Sequence, residues 1–168
     1  MVLYPELPEM PPAPVLHPSI AHVAKPATAH AHAHTQYLIR VADARAPGLH
    51  WTVYRRYSEF RAFKLKLGAA AKAGAMCAGC AVMAKRTCFM LFPPRRVFGN
   101  LREKTLETRR VGLNAFLEAV AAHARACGAR DRGCPTRALM DQFLMVSDMR
   151  YTYLNVNLGE GGPPADGS

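Results

Sequence analysis

Arg55-Arg56-Tyr57-Ser58-Glu59-Phe60 is where a β-type pattern gives way to a helical one, with two cations at the junction. Two further cationic stretches follow, Phe92-Pro93-Pro94-Arg95-Arg96 and Arg109-Arg110. Guanidinium groups present a planar fork of donors that phosphate oxygens accept in pairs, so arginines recurring at separated places suit an anion with several acceptor groups, such as a phosphorylated sugar.

Upstream of the junction the texture is that of strands: Ile20 to Ala24, Thr35 to Ala42 with Tyr37, Ile39 and Val41 alternating against polar neighbours, and His50 to Tyr57. Pro47-Gly48 separates the last two. Proline fixes φ for the second position of a turn and glycine accepts positive φ at the third, so these strands are predicted to form a hairpin. Residues 1–18 hold six prolines and read as a solvated arm.

Downstream, Ser58 is placed as the cap of a helix opening at Glu59, with Phe60, Phe63, Leu67 and Ala70 on its buried face and Gly74 at its end. Gly68 inside it costs about 1 kcal/mol against alanine. Ala75 to Cys80 reads as a loop, and so does Lys85 to Phe98, pointed at Pro93-Pro94. The next helix carries Leu106, Leu113, Phe116, Leu117 and Val120 in one stripe, and Arg109 falls inside that stripe. A cation there either seeks an anion or lays its stem over the core and reaches for water. A closing helix is expected near Thr136 to Val146, with Leu139, Met140, Phe143 and Leu144 inward. The Gly/Pro-rich end from Gly159 reads as a tail.

The chain has 168 residues and a net charge of +10, enough for one domain with a real core. The basicity belongs to one block: residues 55–110 hold 14 Lys and Arg against 3 acidic residues. Such a field attracts nucleic acid, acidic proteins or an anionic membrane surface. Five cysteines, without regular spacing, and an N-terminus lacking a basic-then-apolar pattern imply a cytosolic protein rather than a disulfide-framed one. No apolar run approaches the ~20 residues that span a bilayer, so any membrane contact is expected to be peripheral.

Three strands, a helix opened by Arg55-Arg56-Tyr57-Ser58-Glu59-Phe60, a Pro-Pro loop with cations, then Glu107-Thr108-Arg109-Arg110-Val111-Gly112-Leu113-Asn114-Ala115-Phe116-Leu117, in that order, resemble the Phox-homology (PX) domain, including its sorting-nexin-like members. Leu139 to Leu144 looks like that family's closing helix. The resemblance covers residues 19–146 and implies an α+β fold, a three-stranded antiparallel sheet packed against a helical subdomain, flanked by the arm (1–18) and a tail (147–168). It implies a reader of phosphoinositide headgroups, foremost phosphatidylinositol 3-phosphate on endosomal membranes. By position, Arg56 would hold the 3-phosphate, Tyr57 would pack on the inositol ring, Arg95 would meet the 1-phosphate, and Arg109 would bond the hydroxyls at positions 4 and 5. The family usually has lysine where Arg95 stands, and Arg96 beside it is an accessory candidate. Phe89, Met90 and Leu91, flanked by cations, are candidates for insertion into the bilayer, whereas Phe92 is assigned to the core. The alternative is a protein-binding scaffold of the same fold with weak or no lipid binding.

Other constellations say less. Cys77-Ala78-Gly79-Cys80 has zinc-like spacing, but a structural site needs four ligands and there is no second CxxC. Cys88, Cys127 and Cys134 would complete a site only if folding happened to collect them, so the cysteines are read as reduced thiols and no metal or cofactor is expected. His30, His32 and His34 alternate on an extended chain and read as solvated groups whose partial protonation near pH 6 would favour anionic membranes. No nucleophile with a base, no paired carboxylates and no phosphate-cradling glycine loop occurs, so an enzyme is not expected. The aromatics sit in core stripes rather than on a stacking platform, so nucleic acid is not expected either.

Overall fold

The computed structural model describes residues 14–25, 34–46, 48–96, 102–130 and 133–149, the side chains of 87–89 and 128–130 apart. Most of the Pro-rich arm, His30, His32 and the Gly/Pro-rich tail lie outside the described residues. The sheet is antiparallel in the order β1 (Leu16–Ala24), β2 (Gln36–Asp43), β3 (His50–Arg56). Its buried face pairs Val41 with Trp51 and Ile39 with Val53, and Ile20 of β1 with Ile39. β1 begins at Leu16, ahead of the expected Ile20; Pro18 is tolerated because β1 is an edge strand, where a missing donor leaves no ladder bond broken. The predicted hairpin turn is present: Leu49 N–H donates to the Ala46 carbonyl at 2.9 Å, and Gly48 has φ +91°.

Helix α1 (Tyr57–Lys72) starts two residues before the expected Glu59. Ser58 is not its cap. Arg56 is the N-cap residue, and the Glu59 carboxylate reaches back to accept its N–H at 2.7 Å, satisfying one of the donors a helix start leaves open. Phe60, Phe63, Leu67 and Ala71 are buried; Ala71 takes the place expected for Ala70. The helix closes as expected at Gly74, φ +70°, with Ala75 N–H returning to the Ala70 carbonyl.

The stretch expected to be loop is largely helical: α2 (Ala78–Val82), a π-helical turn (Met83–Thr87) and α3 (Cys88–Leu91). Alanine, methionine, lysine and leucine favour helix, and nothing breaks the run before Pro93-Pro94. Met83 and Ala84 are buried in the core, which holds the turn despite its wide hydrogen bonding.

Helix α4 (Glu103–Arg130) packs against the edge strand β1, and its stripe of Leu106, Leu113, Phe116, Leu117 and Val120 is buried as expected. It also repairs the sheet. At a bulge between Ile20 and His22, the Ile20 N–H donates to Asn114 Oδ1 at 2.7 Å. Helix α5 (Thr136–Phe143) ends earlier than expected. Carbonyls at that end are taken by β3: Trp51 Nε1 donates to Leu144 O at 2.9 Å, and the Arg55 guanidinium to Phe143 O at 2.8 and 3.0 Å.

One glycine of α4 lets a neighbouring backbone come close. A Cβ on Gly112 would stand 3.0 Å from the Leu91 carbonyl oxygen and 3.2 Å from Pro93 Cδ. Gly68 of α1 faces nothing within 4 Å. Alanine at Gly68 is therefore expected to stabilise the protein, by up to about 1 kcal/mol. Alanine at Gly112 should destabilise it, because overpacking against backbone, about 1–3 kcal/mol, outweighs the same propensity gain. Urea unfolding of both variants checks the opposite signs.

Candidate functional site

Arg55 and Arg56 are neighbours on a strand, so their side chains leave on opposite faces. Arg55 turns towards α5, binding Phe143 O and Glu59 and lying 5.4 Å above the Phe143 ring. Arg56 turns the other way and stands exposed beside the start of α1, where its charge is available to a ligand.

Tyr57, the first residue of α1, forms the floor beneath that side. Its hydroxyl donates to the Pro93 carbonyl at 2.7 Å, and its ring packs on Phe92 with centroids 5.7 Å apart. The Arg109 guanidinium lies 4.5 Å above the same ring, a cation–π contact strengthened by burial. Arg109 is only 8 % exposed and also meets the buried Tyr37 hydroxyl. The snorkelling alternative thus gives way to a held cation. Burial pushes the Tyr57 phenol up, and the charges of Arg109, Arg61 and Arg95, in that order, pull it back. Burial likewise raises Tyr37, opposed by Arg109. Burial thus favours the neutral form of Tyr57, whose hydroxyl donates to Pro93.

Arg95 and Arg96 follow Pro93-Pro94 and are exposed. Together these groups line one cleft: Arg56, Tyr57, Arg95, Arg96 and Arg109, the four residues singled out from the sequence and their accessory. Among the described residues, Arg61, Ser58, His34, Thr35 and Tyr37 complete the lining, and no carboxylate is among them. The cleft encloses about 510 Å³, within the ~300–1,000 Å³ of small-ligand sites, room for a phosphorylated six-membered ring. Arg61 was not singled out beforehand, although it stands one helical turn after Tyr57, a spacing that could have found it. His34 had been read only as a solvated group.

The apolar stretch before the prolines divides. Phe92 is buried against Phe116, their ring centroids 5.1 Å apart, as assigned. Leu91 packs partly on the core. Met90 is 85 % exposed and offers its side chain to any surface that approaches. The side chain of Phe89 lies outside the described residues. Among the described residues, no helix is long and apolar enough to cross a membrane. The cysteines are not scattered: Cys77, Cys80, Cys127 and Cys134 lie together in a small cluster separate from the main core.

A family model described as the PX domain matches residues 45–131. Among solved structures, the chain is similar to the X-ray structure of a designed CISK-PX domain, with a TM-score of 0.51 and 26% identity, covering 76% of this chain and 97% of that one. No curated protein matches.

The Tyr57 hydroxyl ties α1 to the proline turn, whereas its ring carries Arg109. Tyr57→Phe should therefore cost about 1 kcal/mol, the worth of one hydrogen bond. Tyr57→Ala should cost clearly more, since it also uncovers the guanidinium. Denaturant unfolding of the two variants separates these contributions.

Proposed function

Because this chain belongs to the PX domain family, whose members are in general phosphoinositide-binding, membrane-targeting modules without catalytic activity, we propose that it reads phosphatidylinositol 3-phosphate on endosomal membranes. It would act there as a cytoplasmic, peripheral protein in sorting-nexin-like trafficking. The observation that carries this reading is the cleft itself: among the described residues, five arginines and a tyrosine floor with no carboxylate in the lining.

The roles follow from exposure and shape. Arg56, exposed at the cleft's edge, presents its fork to the 3-phosphate. The Tyr57 ring, already fixed by Pro93 and Arg109, offers a face to the inositol ring at little entropic cost. Arg109, buried and oriented, suits the uncharged hydroxyls at positions 4 and 5, where a rigid donor discriminates better than a mobile one. Arg95 takes the 1-phosphate with Arg96 beside it, and Arg61 adds positive potential. Met90 enters the acyl boundary.

Co-sedimentation with vesicles carrying each phosphoinositide in turn tests the pocket. Selective binding to the 3-phosphorylated lipid is expected. A charge-assisted hydrogen bond is worth about 1.5–3 kcal/mol, so Arg56→Gln should weaken binding roughly 10- to 100-fold while the fold, which does not rest on this exposed side chain, is retained. Binding that follows only total lipid charge, or that survives Arg56→Gln unchanged, would remove the assignment.

A second measurement isolates insertion. Met90→Asp should reduce vesicle affinity about tenfold or more, the burial of one such side chain being worth about 1.5–3 kcal/mol. Affinity for soluble inositol 1,3-bisphosphate should not change. Equal losses on both ligands would place Met90 in the headgroup site instead.

A further inference from the structure

Cys77 and Cys80 flank the start of α2, Cys127 lies near the end of α4, and Cys134 stands just before α5. Their four Sγ atoms all lie within 4.8 Å of one another. Three of these cysteines are buried, and Cys77 is half-buried. Four thiols from three parts of the chain, facing one point, form a closed tetrad.

The spacing selects what can sit at its centre. A tetrahedral zinc with Zn–S bonds of about 2.3 Å holds its sulfurs about 3.8 Å apart. The Cys77 and Cys127 sulfurs are 3.7 Å apart. An iron–sulfur cluster places a cage of several atoms between its thiolates and needs wider separation. Four sulfur ligands within 4.8 Å of one another suit a single tetrahedral ion, and zinc is the ion for all-thiolate structural sites.

The surroundings also favour sulfur anions. The Cys77 N–H donates to Cys134 Sγ at 3.5 Å, and Thr136 Oγ1 lies 3.4 Å from the same sulfur. Such outer hydrogen bonds orient thiolates at metal sites and stabilise their charge. A divalent cation binding there would displace the protons the thiols hold.

We infer that Cys77, Cys80, Cys127 and Cys134 form a structural zinc site that fastens the turn between α1 and α2 to the far end of α4. All four positions are filled by protein, so the ion has no open place for substrate and its work is mechanical. The site is independent of the lipid reading, because Arg109 and Cys127 are 18 residues apart on one helix, about 27 Å at 1.5 Å per residue.

The test uses the full chain, purified untagged under reducing conditions without chelator. Elemental analysis should find about one zinc per chain. Exchange with cobalt(II) should give thiolate-to-cobalt charge-transfer bands and the intense visible bands of a tetrahedral centre. Titrating the thiols with an organomercurial should release the zinc in step, and chelation should lower the Tm, which added zinc restores. Cys127→Ser and Cys134→Ser should lose the metal; if they fail to fold, the cobalt spectrum and zinc release of the unaltered chain still decide. Four thiols that react freely while added zinc leaves the Tm unmoved would overturn the site. So would disulfides among these cysteines in the unreduced protein, or zinc retained in full by folded serine variants.

Discussion

The close approach of two backbones at Gly112 is the constraint on which the cleft depends. Because no Cβ stands there, the Leu91 carbonyl and the Pro93 ring settle onto α4, and Pro93 is held where its own carbonyl accepts the Tyr57 hydroxyl. Tyr57 then has one orientation, and its ring becomes the surface on which the Arg109 guanidinium rests. Arg109 lies one helical turn before Gly112 on the same helix. The residue that brings the proline turn in and the residue that cations the cleft are thus set by the geometry of a single turn. A rigid floor of this kind lowers the ordering cost of capturing a mobile headgroup.

The arginines divide by what their surroundings leave them to do. Arg55, Arg110, Arg125 and Arg137 each reach a main-chain carbonyl left open by a helix end, a bulge or a strand edge. These bonds satisfy buried acceptors that would otherwise cost free energy. Arg56, Arg61, Arg95 and Arg96 stand exposed around the cleft, where like charges in proximity raise the potential. An anion entering there relieves mutual repulsion as well as gaining hydrogen bonds. The net charge of +10 thus hides two populations, one structural and one available to a ligand.

How much of this was legible in the sequence depended on whether the signal was local. Periodicity along α4 gave its whole stripe and exposed Arg109 as the anomaly in it, because a 3.6-residue repeat needs only neighbours. The hairpin at Gly48 and the stop at Gly74 were legible for the same reason, each being a glycine at positive φ. The start of α1 was misplaced because Ser58 is the better cap by composition, whereas Glu59 acts by reaching back to Arg56. The helical run from Ala78 to Leu91 escaped notice because Gly79 and the cysteines dilute its propensity, and burial of Met83 supplies the rest. Arg61 carries a helical mark, one turn after Tyr57, whereas His34 carries none and only the folded cleft shows its place.

The cysteine cluster was least legible of all, since Cys77 and Cys127 are 50 residues apart and meet only because α4 is 28 residues long. Its place in the fold gives it a purpose. The segment from Cys80 to Pro93 runs along α4 and contacts it throughout, anchored at Gly112 by the proline turn and at Cys127 by the thiols. Gly112 and Cys127 are 15 residues apart on α4, about 22 Å at 1.5 Å per residue. Buried Met83 and Ala84 hold the middle of this segment in the core, and its two ends are held as well. Gly112 fixes one end by permitting contact, and the thiol tetrad fixes the other. The headgroup cleft and the cysteine cluster, towards opposite ends of α4, are therefore bridged by one segment that packs on that helix.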